Sequence, residues 1–177
     1  MTPLAADPVF QPGGERGSDV LLVGSIEPRK QPLVAADAAQ GVGRRLVVVG
    51  PERDAELAAE LRRRGADVRG FVPKDELLRL YREAAALLLP TRYEGFGLTV
   101  AEAMACGTPV VASPDAAVRE VGGDAIAYAG PGEFGSTLAE VLAHSDHWSR
   151  AGLERSRALS WTATAAATAA VYREVLA

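Results

Sequence analysis

Two glutamates, Glu94 and Glu102, lie eight positions apart in a segment that also contains Gly95 and Gly97. The segment follows an apolar run and leads into a helical pattern, which predicts that both carboxylates lie at one crevice. Carboxylates accept hydrogen bonds from hydroxyl groups, and a glycine turn before a helix presents backbone N–H groups to an anion. This combination suits a ligand with hydroxyls at both ends and an anion between them, as in a nucleotide-sugar.

A basic pair, Arg29 and Lys30, follows the first apolar run and is predicted to face the same crevice. The planar fork of arginine and the point charge of lysine both suit a diphosphate. A basic pair at the start of a helix is usually solvated, so this interpretation depends on its combination with the glycine turn. The combined pattern predicts a site with one positive wall and two negative ends.

Each acidic feature also has an alternative explanation. Thr99 to Glu102 matches a capping box, in which the glutamate bonds back to the N-cap N–H. Glu94 in a glycine-rich loop is alternatively a solvated charge. Two carboxylates also suggest glycoside hydrolysis, but one on a loop and one in a helix do not establish the flanking geometry. Val100 occupies the third glycine position of the dinucleotide fingerprint, which disfavours a dinucleotide oxidoreductase.

Short apolar runs alternate with helical patterns about six times, and the runs themselves show little alternation. The predicted strands are 19–24, 45–50, 66–71, 85–89, 109–112 and 125–128. The predicted helices are 32–40, 51–64, 73–81, 99–105, 116–121 and 132 onward, with breaks near 144–148 and 159–160 and Ser160 as N-cap of a last helix, 161–176. This order predicts a doubly wound, Rossmann-like parallel sheet, whose ligands bind beyond the carboxyl ends of the strands.

Composition bounds the class of protein. The 177 residues carry a net charge of −4, so no global basic field attracts nucleic acid. No apolar run approaches the ~20 residues of a membrane span, and no signal peptide opens the chain, which makes the cytoplasm the expected location. Cys106 is the only cysteine and is predicted to be a packed small hydrophobe. His144 and His147 have the spacing of two zinc ligands, but no further Cys or His supports them.

The segment from Glu94 to Ala112 resembles the E-x7-E signature of retaining, family-4 (group 1) glycosyltransferases of the GT-B fold. Val23 to Lys30 resembles the phosphate-binding loop of that family. Pro3 to Pro8 resembles the hinge before the C-terminal half, and Ser160-Trp161 resembles the start of its last helix. The similarity runs nearly end to end and implies the C-terminal, donor-binding half of such an enzyme.

The resemblance implies a role for each matching residue. Glu94 would hold hydroxyls of the donor sugar, and Glu102 the ribose hydroxyls. Arg29 and Lys30 would neutralise the departing diphosphate in place of a metal, so that neither metal nor cofactor is expected. The catalytic residues implied are Glu94, Arg29 and Lys30, and the donor-binding residues are Gly24, Ser25, Arg29, Lys30, Val72, Pro73, Glu94, Gly95, Phe96, Gly97, Leu98, Thr99 and Glu102.

The chain departs from the family in two respects. Many members carry arginine where Ser25 stands, and Arg29 is expected to supply that charge. The family uses two domains, whereas this chain is predicted to hold a hinge or leader, 1–18, and one nucleotide-sugar-binding domain, 19–177, without the N-terminal acceptor domain. Membrane association is therefore expected only through the missing half, and the chain alone is expected to bind donor with little or no turnover.

The sequence leaves alternatives open for the identity of the donor and for the activity. The Glu-Pro-Arg-Lys loop (27–30) favours GDP-mannose, by resemblance only. The alternatives to a transferase are a nucleotide-sugar-binding or partner-docking module without catalysis and a nucleotide-sugar epimerase of the same architecture. A phosphorylase would need a cofactor-anchoring lysine loop, which the sequence does not contain.

Overall fold

The computed structural model describes residues 4–176. These residues form a parallel sheet of six strands in the order β3-β2-β1-β4-β5-β6. Every predicted strand is present, and each is shorter than predicted. The strands are β1 (Val20–Val23), β2 (Leu46–Val49), β3 (Asp67–Gly70), β4 (Ala86–Leu89), β5 (Val110–Ala112) and β6 (Ala127–Tyr128).

Eight α-helices within the described residues connect and cover the strands: α1 (Pro32–Gly41), α2 (Ala55–Arg63), α3 (Lys74–Glu83), α4 (Leu98–Ala105), α5 (Ala116–Gly122), α6 (Phe134–Ala143), α7 (Ser145–Ala158) and α8 (Trp161–Leu176). The predicted start of α2 at residue 51 is wrong, because the Asp54 carboxylate accepts from Leu57 N at 2.9 Å and caps the helix there. The break predicted over 144–148 is confined to His144. Ser160 caps α8 as predicted, since its Oγ accepts from Ala163 N.

Both faces of the sheet are buried, which explains the nearly continuous apolar runs of the sequence. Leu21 and Leu87 point into a core that α3, α4 and α5 cover, whereas their neighbours Leu22 and Leu88 point into a second core beneath α1, α2 and α6. Burying such a side chain contributes about 1.5–3 kcal/mol to folding. The predicted doubly wound fold is confirmed.

The segment before β1 contains no helix or strand over residues 4–18, yet it packs against α3. Phe10 is buried, and its ring meets the Tyr81 ring edge-on at 5.6 Å. Arg82 Nε donates to Gln11 O at 2.8 Å, and Gly17 N to Glu83 O at 2.7 Å. Residues 1–3, with the Pro3 of the predicted hinge, and residue 177 lie outside the described residues.

The strand order reverses between β1 and β4. The chain adds β2 and β3 on one side of β1 and then returns to pair β4 with its other side. The connections that leave β1 and β4 therefore diverge at the carboxyl edge of the sheet, which is where ligands bind in such folds. The loop after β1 contains Arg29 and Lys30, and the loop after β4 contains Glu94.

Candidate functional site

The loops after β1 and β4 contact each other across the switch in strand order. After β1 the chain forms a short 3-10 helix, Pro28–Lys30. Its Arg29 O accepts a hydrogen bond from Arg92 N, in the loop after β4, at 2.9 Å. This backbone bond holds together the two loops that carry the predicted basic pair and the first glutamate.

Lys30 and Glu94 form an ion pair across this junction. Only 10% of the Lys30 side chain and 11% of the Glu94 side chain are exposed, so neither is the solvated charge of the alternative interpretations. The Lys30 stem packs over Gly24, where an added Cβ would lie 3.3 Å from Lys30 Cε. Glycine at position 24 thus leaves room for the lysine, and the pair largely neutralises both charges.

Arg29 is held by contacts from both loops. Its Nη2 donates to Glu27 Oε1 at 2.7 Å, and its Nη1 donates to Tyr93 O at 2.8 Å. The guanidinium also lies 4.8 Å from the centre of the Tyr93 ring, within the range of a cation–π contact. Ser25 Oγ donates to the same Glu27 oxygen at 2.7 Å. Hydrogen bonds from Ser25 and then Arg29 lower the pKa of Glu27.

The turn before α4 supplies unused backbone donors. Gly97 is the N-cap with φ of 88°, and no side chain caps the helix. Within residues 4–176, none of the N–H groups of residues 95–99 donates a hydrogen bond. The capping-box alternative for Glu102 is therefore wrong: the N-cap is Gly97 and not Thr99, and the glutamate does not reach back to it.

Glu102 instead bonds to α3. The Tyr81 hydroxyl donates to Glu102 Oε2 at 2.8 Å. Glu102 lines an open pocket of about 330 Å³ together with Val72, Lys74 and Leu98. Burial raises the pKa of Glu102, while the Tyr81 hydroxyl and the Lys74 charge act in the opposite direction. The carboxylate is thus partly desolvated at the wall of a pocket.

The predicted site residues fall into two groups joined by the turn. Gly24, Ser25, Arg29, Lys30 and Glu94 lie together at the β1–β4 junction, as the contacts above establish. Val72, Leu98 and Glu102 share the pocket beside α3, where Pro73 is the N-cap of that helix. Gly95, Phe96, Gly97 and Thr99 lie in the chain between Glu94 and the pocket. One carboxylate thus lies in each group, with the turn before α4 between them, which matches a ligand with an anion between two polar ends.

Sequence reasoning missed four residues of this region. Glu27 and Tyr93 hold Arg29, Tyr81 bonds to Glu102, and Lys74 lines the pocket. A signal existed for Tyr81 alone, because it falls on the face of α3 that carries the buried Leu80 and the partly buried Leu77. A tyrosine predicted to be buried needs a hydrogen-bond partner for its hydroxyl.

The remaining candidate groups play no part in the site. Cys106 is buried, and burial raises the pKa of its thiol to about 12, as expected for an inert packed cysteine. No group of three His, Cys, Asp or Glu side chains within residues 4–176 is arranged to hold a metal ion. His147 contacts the ring of its neighbour Trp148 edge-on. No helix among the described residues is long and apolar enough to span a membrane.

Solved structures match the whole fold. A glycosyltransferase involved in avilamycin A biosynthesis superposes with a TM-score of 0.78 at 26% identity, over 99% of this chain and 58% of its own. Sucrose-phosphate synthase from Thermosynechococcus elongatus superposes with a TM-score of 0.82 at 25% identity, over 99% of this chain and 52% of its own. The fold is the Rossmann-like half of a GT-B glycosyltransferase.

The family model described as "Glycosyl transferases group 1" matches residues 17–144, and the chain belongs to this family. A D-inositol 3-phosphate glycosyltransferase of Frankia alni is 33% identical over 93% of this chain and 47% of its own length. O-antigen chain mannosyltransferase B of Escherichia coli is 39% identical over 98 residues, which are 52% of this chain and 26% of that protein. The chain spans about half the length of the first of these relatives.

Proposed function

We propose that this chain is the donor-binding domain of a retaining glycosyltransferase, which takes a sugar from a nucleoside diphosphate sugar and transfers it to an acceptor hydroxyl. The observation that carries the proposal is the Lys30–Glu94 pair beside the unused N–H groups of residues 95–99. A diphosphate needs the cation and the N–H donors, and a sugar needs the carboxylate. All of them lie at the switch in strand order, where such folds bind ligands.

The diphosphate would be bound by exchange of partners. Without donor, Lys30 and Glu94 neutralise each other. A bound diphosphate offers Lys30 a stronger anion, and Glu94 then accepts hydrogen bonds from sugar hydroxyls. Each charge-assisted hydrogen bond contributes about 1.5–3 kcal/mol, enough to offset the lost pair when several form together. The bound donor thereby prepares both partners for the reaction.

The same groups would lower the barrier to bond breaking. When the bond from the anomeric carbon to the diphosphate breaks, negative charge grows on the β-phosphate. Arg29, Lys30 and the N-terminus of α4 would oppose that charge from fixed positions, which is electrostatic preorganisation. Glu27 and Tyr93 hold the Arg29 guanidinium in place before any ligand arrives. In this proposal these groups take the place of a metal.

The acceptor site and the other half of the reaction would belong to a second domain. The chain covers 47% of the Frankia relative and 58% of the avilamycin enzyme. A binding module without catalysis remains the second candidate, because this chain covers only about half of these two proteins. Adding the acceptor domain to the chain and measuring product separates the two: transfer supports the enzyme, and donor binding without transfer supports the module.

GDP-mannose is the donor we favour. The support is the Glu-Pro-Arg-Lys loop (27–30) and the similarity to a protein named a mannosyltransferase. A thermal-shift panel of GDP-mannose, UDP-glucose and ADP-glucose tests the choice, and GDP-mannose is expected to give the largest rise in melting temperature. A larger rise with UDP- or ADP-glucose would contradict it.

Calorimetric titration of two variants tests the proposed roles. Glu94→Gln should weaken the binding of GDP-mannose more than the binding of GDP, because only GDP-mannose carries the sugar. Lys30→Met should weaken both by about tenfold or more, the loss of a charge-assisted bond to phosphate. If Glu94→Gln lost the same affinity for GDP-mannose as for GDP, Glu94 would not contact the sugar. If Lys30→Met bound both ligands as tightly as the wild type, the diphosphate would bind elsewhere.

A further inference from the structure

Tyr81 is the largest fully buried side chain of the described residues, and its only polar side-chain atom is bonded to the pocket residue Glu102. Its ring lies in the core beneath α3 and α4, with Phe10 packed edge-on against it. A phenylalanine would fill nearly the same space without burying a hydroxyl. The hydroxyl is therefore not explained by packing, and its partner indicates what it does.

Tyr81 is fixed at both ends. Its backbone carbonyl accepts a hydrogen bond from Thr108 Oγ1, which is buried just after α4. Its hydroxyl donates to Glu102 Oε2 at 2.8 Å, near the middle of α4. The first bond holds the backbone of Tyr81, and the second restrains its ring and the glutamate together. The contact thus limits where the second carboxylate oxygen can lie.

The second carboxylate oxygen of Glu102 is left for a ligand. Within the described residues, the Tyr81 hydroxyl is the only hydrogen-bond donor to this carboxylate. Glu102 lines the pocket with Val72, Leu98 and Trp161, so that its remaining acceptor is at a surface a nucleoside can reach. A desolvated carboxylate gains most from a donor that the ligand brings.

We propose that Tyr81 is a positioning residue: it holds one oxygen of Glu102 so that the other accepts from the ribose 2′-hydroxyl, and it thereby sets a preference for ribonucleotides over 2′-deoxyribonucleotides. This inference rests on the proposed function, in which the pocket beside α3 receives the nucleoside. Tyr81 touches no ligand and acts through Glu102. The neighbouring charges that face Glu102 are Lys74 from the start of α3 and Asp7 from the N-terminal segment.

The variant Tyr81→Phe tests the proposal, because it removes one oxygen atom and keeps the ring. Tyr128→Phe is the matched control: its hydroxyl donates to Gly123 O, also at 2.8 Å, and it lies in the edge strand β6, at the opposite end of the strand order from β3. Calorimetric titrations with GDP, UDP and ADP, and with their 2′-deoxy counterparts, give the ratio of deoxy to ribo dissociation constants for each protein.

We expect Tyr81→Phe to bind the ribonucleotide about tenfold more weakly, the effect of one hydrogen bond to a charged group, and to bind the deoxynucleotide unchanged. The ratio of the two constants should therefore fall in Tyr81→Phe and stay at the wild-type value in Tyr128→Phe. The pH at which half of the ribonucleotide affinity is lost should also rise in Tyr81→Phe, because the tyrosine hydroxyl lowers the pKa of Glu102.

If Tyr81→Phe lost the same affinity for ribonucleotides as for 2′-deoxyribonucleotides, the inference would be overturned and Tyr81 would be a structural residue. Equal binding of both ligands by the wild type would overturn it while the proposed function stands. Binding of none of the three nucleotides would overturn both. If Tyr81→Phe does not fold, a crystal structure of the wild type with GDP decides: the inference requires the ribose 2′-hydroxyl bonded to Glu102, and a 2′-hydroxyl away from Glu102 overturns it.

Discussion

The residues of this site neutralise one another before any ligand is present. Lys30 and Glu94 are nearly buried together, and Glu27 accepts from Arg29. A buried charge is costly without a partner, so each group is stable only because the other stands beside it. Exchange of these partners for a diphosphate and a sugar is the step that the proposed function requires.

A double-mutant cycle on Lys30→Met and Glu94→Gln measures this dependence. Each single substitution should lower the free energy of unfolding by about 2–4 kcal/mol, because it removes the closest partner of a nearly buried charge. The double variant should lose less than the sum, with a coupling energy of about 1–3 kcal/mol. Urea unfolding of the four proteins gives these values.

The Arg79–Glu83 pair on the surface of α3 is the control for that cycle, since its side chains are 51% and 43% exposed. Arg79→Met and Glu83→Gln should couple by about 0.5 kcal/mol or less. Equal coupling in the two cycles would show that Lys30 and Glu94 are not interdependent in the way described.

Gln31 carries local strain beside the site. It is the only described non-glycine residue with positive φ, at 47°, and it separates the Pro28–Lys30 helix from α1. Asparagine tolerates this conformation better, so Gln31→Asn should raise the free energy of unfolding by about 0.5–1 kcal/mol. Gln40→Asn, within α1, should instead lower it by a few tenths, about the difference in helix propensity. Thermal unfolding of both variants checks the opposite signs.

Glu102 should make stability depend on pH. Burial raises its pKa in the folded protein, so the unfolded chain releases this proton at lower pH than the folded one. The contribution of Glu102 to stability therefore falls as pH rises from its ordinary pKa through the raised one. Glu102→Gln should gain stability relative to the wild type across that window, as measured by urea unfolding at a series of pH values. A constant difference between the two proteins would contradict the raised pKa.

The types of the site residues followed from the sequence, but their partners did not. Glu94, Arg29 and Lys30 were predicted to share a crevice. In the structure the Glu94 carboxylate pairs with Lys30 and lies 4.0 Å from the Arg29 guanidinium. The Tyr81–Glu102 bond joins residues 21 positions apart on two helices, and no local pattern encodes it. Thr99 and Glu102 have capping-box spacing, yet the helix begins at Leu98 with Gly97 as its N-cap, in a conformation with φ of 88° that favours glycine.

At the scale of elements, the ends of β1 and β2 form a close contact that shapes the side of the site where the basic pair lies. An added Cβ on Gly50, which follows β2, would lie 2.1 Å from Gly24 O. Gly24 N in turn donates to Val49 O at 2.8 Å. This contact fixes the path of the chain that leads from β1 to Ser25 and the basic pair.

Gly50→Ala and Gly65→Ala separate this contact from simple backbone strain. Both glycines have positive φ, 146° and 81°, but nothing lies within 4 Å of a Cβ at Gly65. Gly65→Ala should cost about 1–2 kcal/mol of unfolding free energy, the price of the left-handed region alone. Gly50→Ala should lower the free energy of unfolding clearly more, because the backbone at the end of β1 would also have to move. Chemical denaturation of both variants measures the difference. Similar losses would mean that the approach of the two strands does not matter.

Element identities were predictable from apolar runs and helical patterns, since burial on both faces removes alternation from the strands. Boundaries were less predictable. The side chain of Asp54 moves the start of α2 four residues beyond the prediction, and the strands are shorter than the apolar runs that predict them. Strand order does not follow from any local pattern, although the alternation of elements predicted the doubly wound class.

At the scale of the whole molecule, the domain presents its site at one edge of the sheet with nothing described above it. Phe71 and Tyr93, which follow β3 and β4, are 88% and 63% exposed there. The Frankia relative is about twice as long as this chain, which fits a second domain. The proposed division of labour follows: this domain holds the donor, and the acceptor is bound elsewhere.

The account depends most on the donor binding at the switch between β1 and β4. The direct measurement is an NMR titration of the ¹⁵N-labelled chain with GDP-mannose, UDP-glucose and ADP-glucose, following every backbone amide. We predict saturable shifts that concentrate at residues 24–30, 72–74 and 94–99 for at least one donor, and that in Lys30→Met need about tenfold or more of that donor to reach the same extent. No saturable shifts with any donor, or shifts concentrated at the opposite edge of the sheet around Arg45 and Glu83, would contradict it.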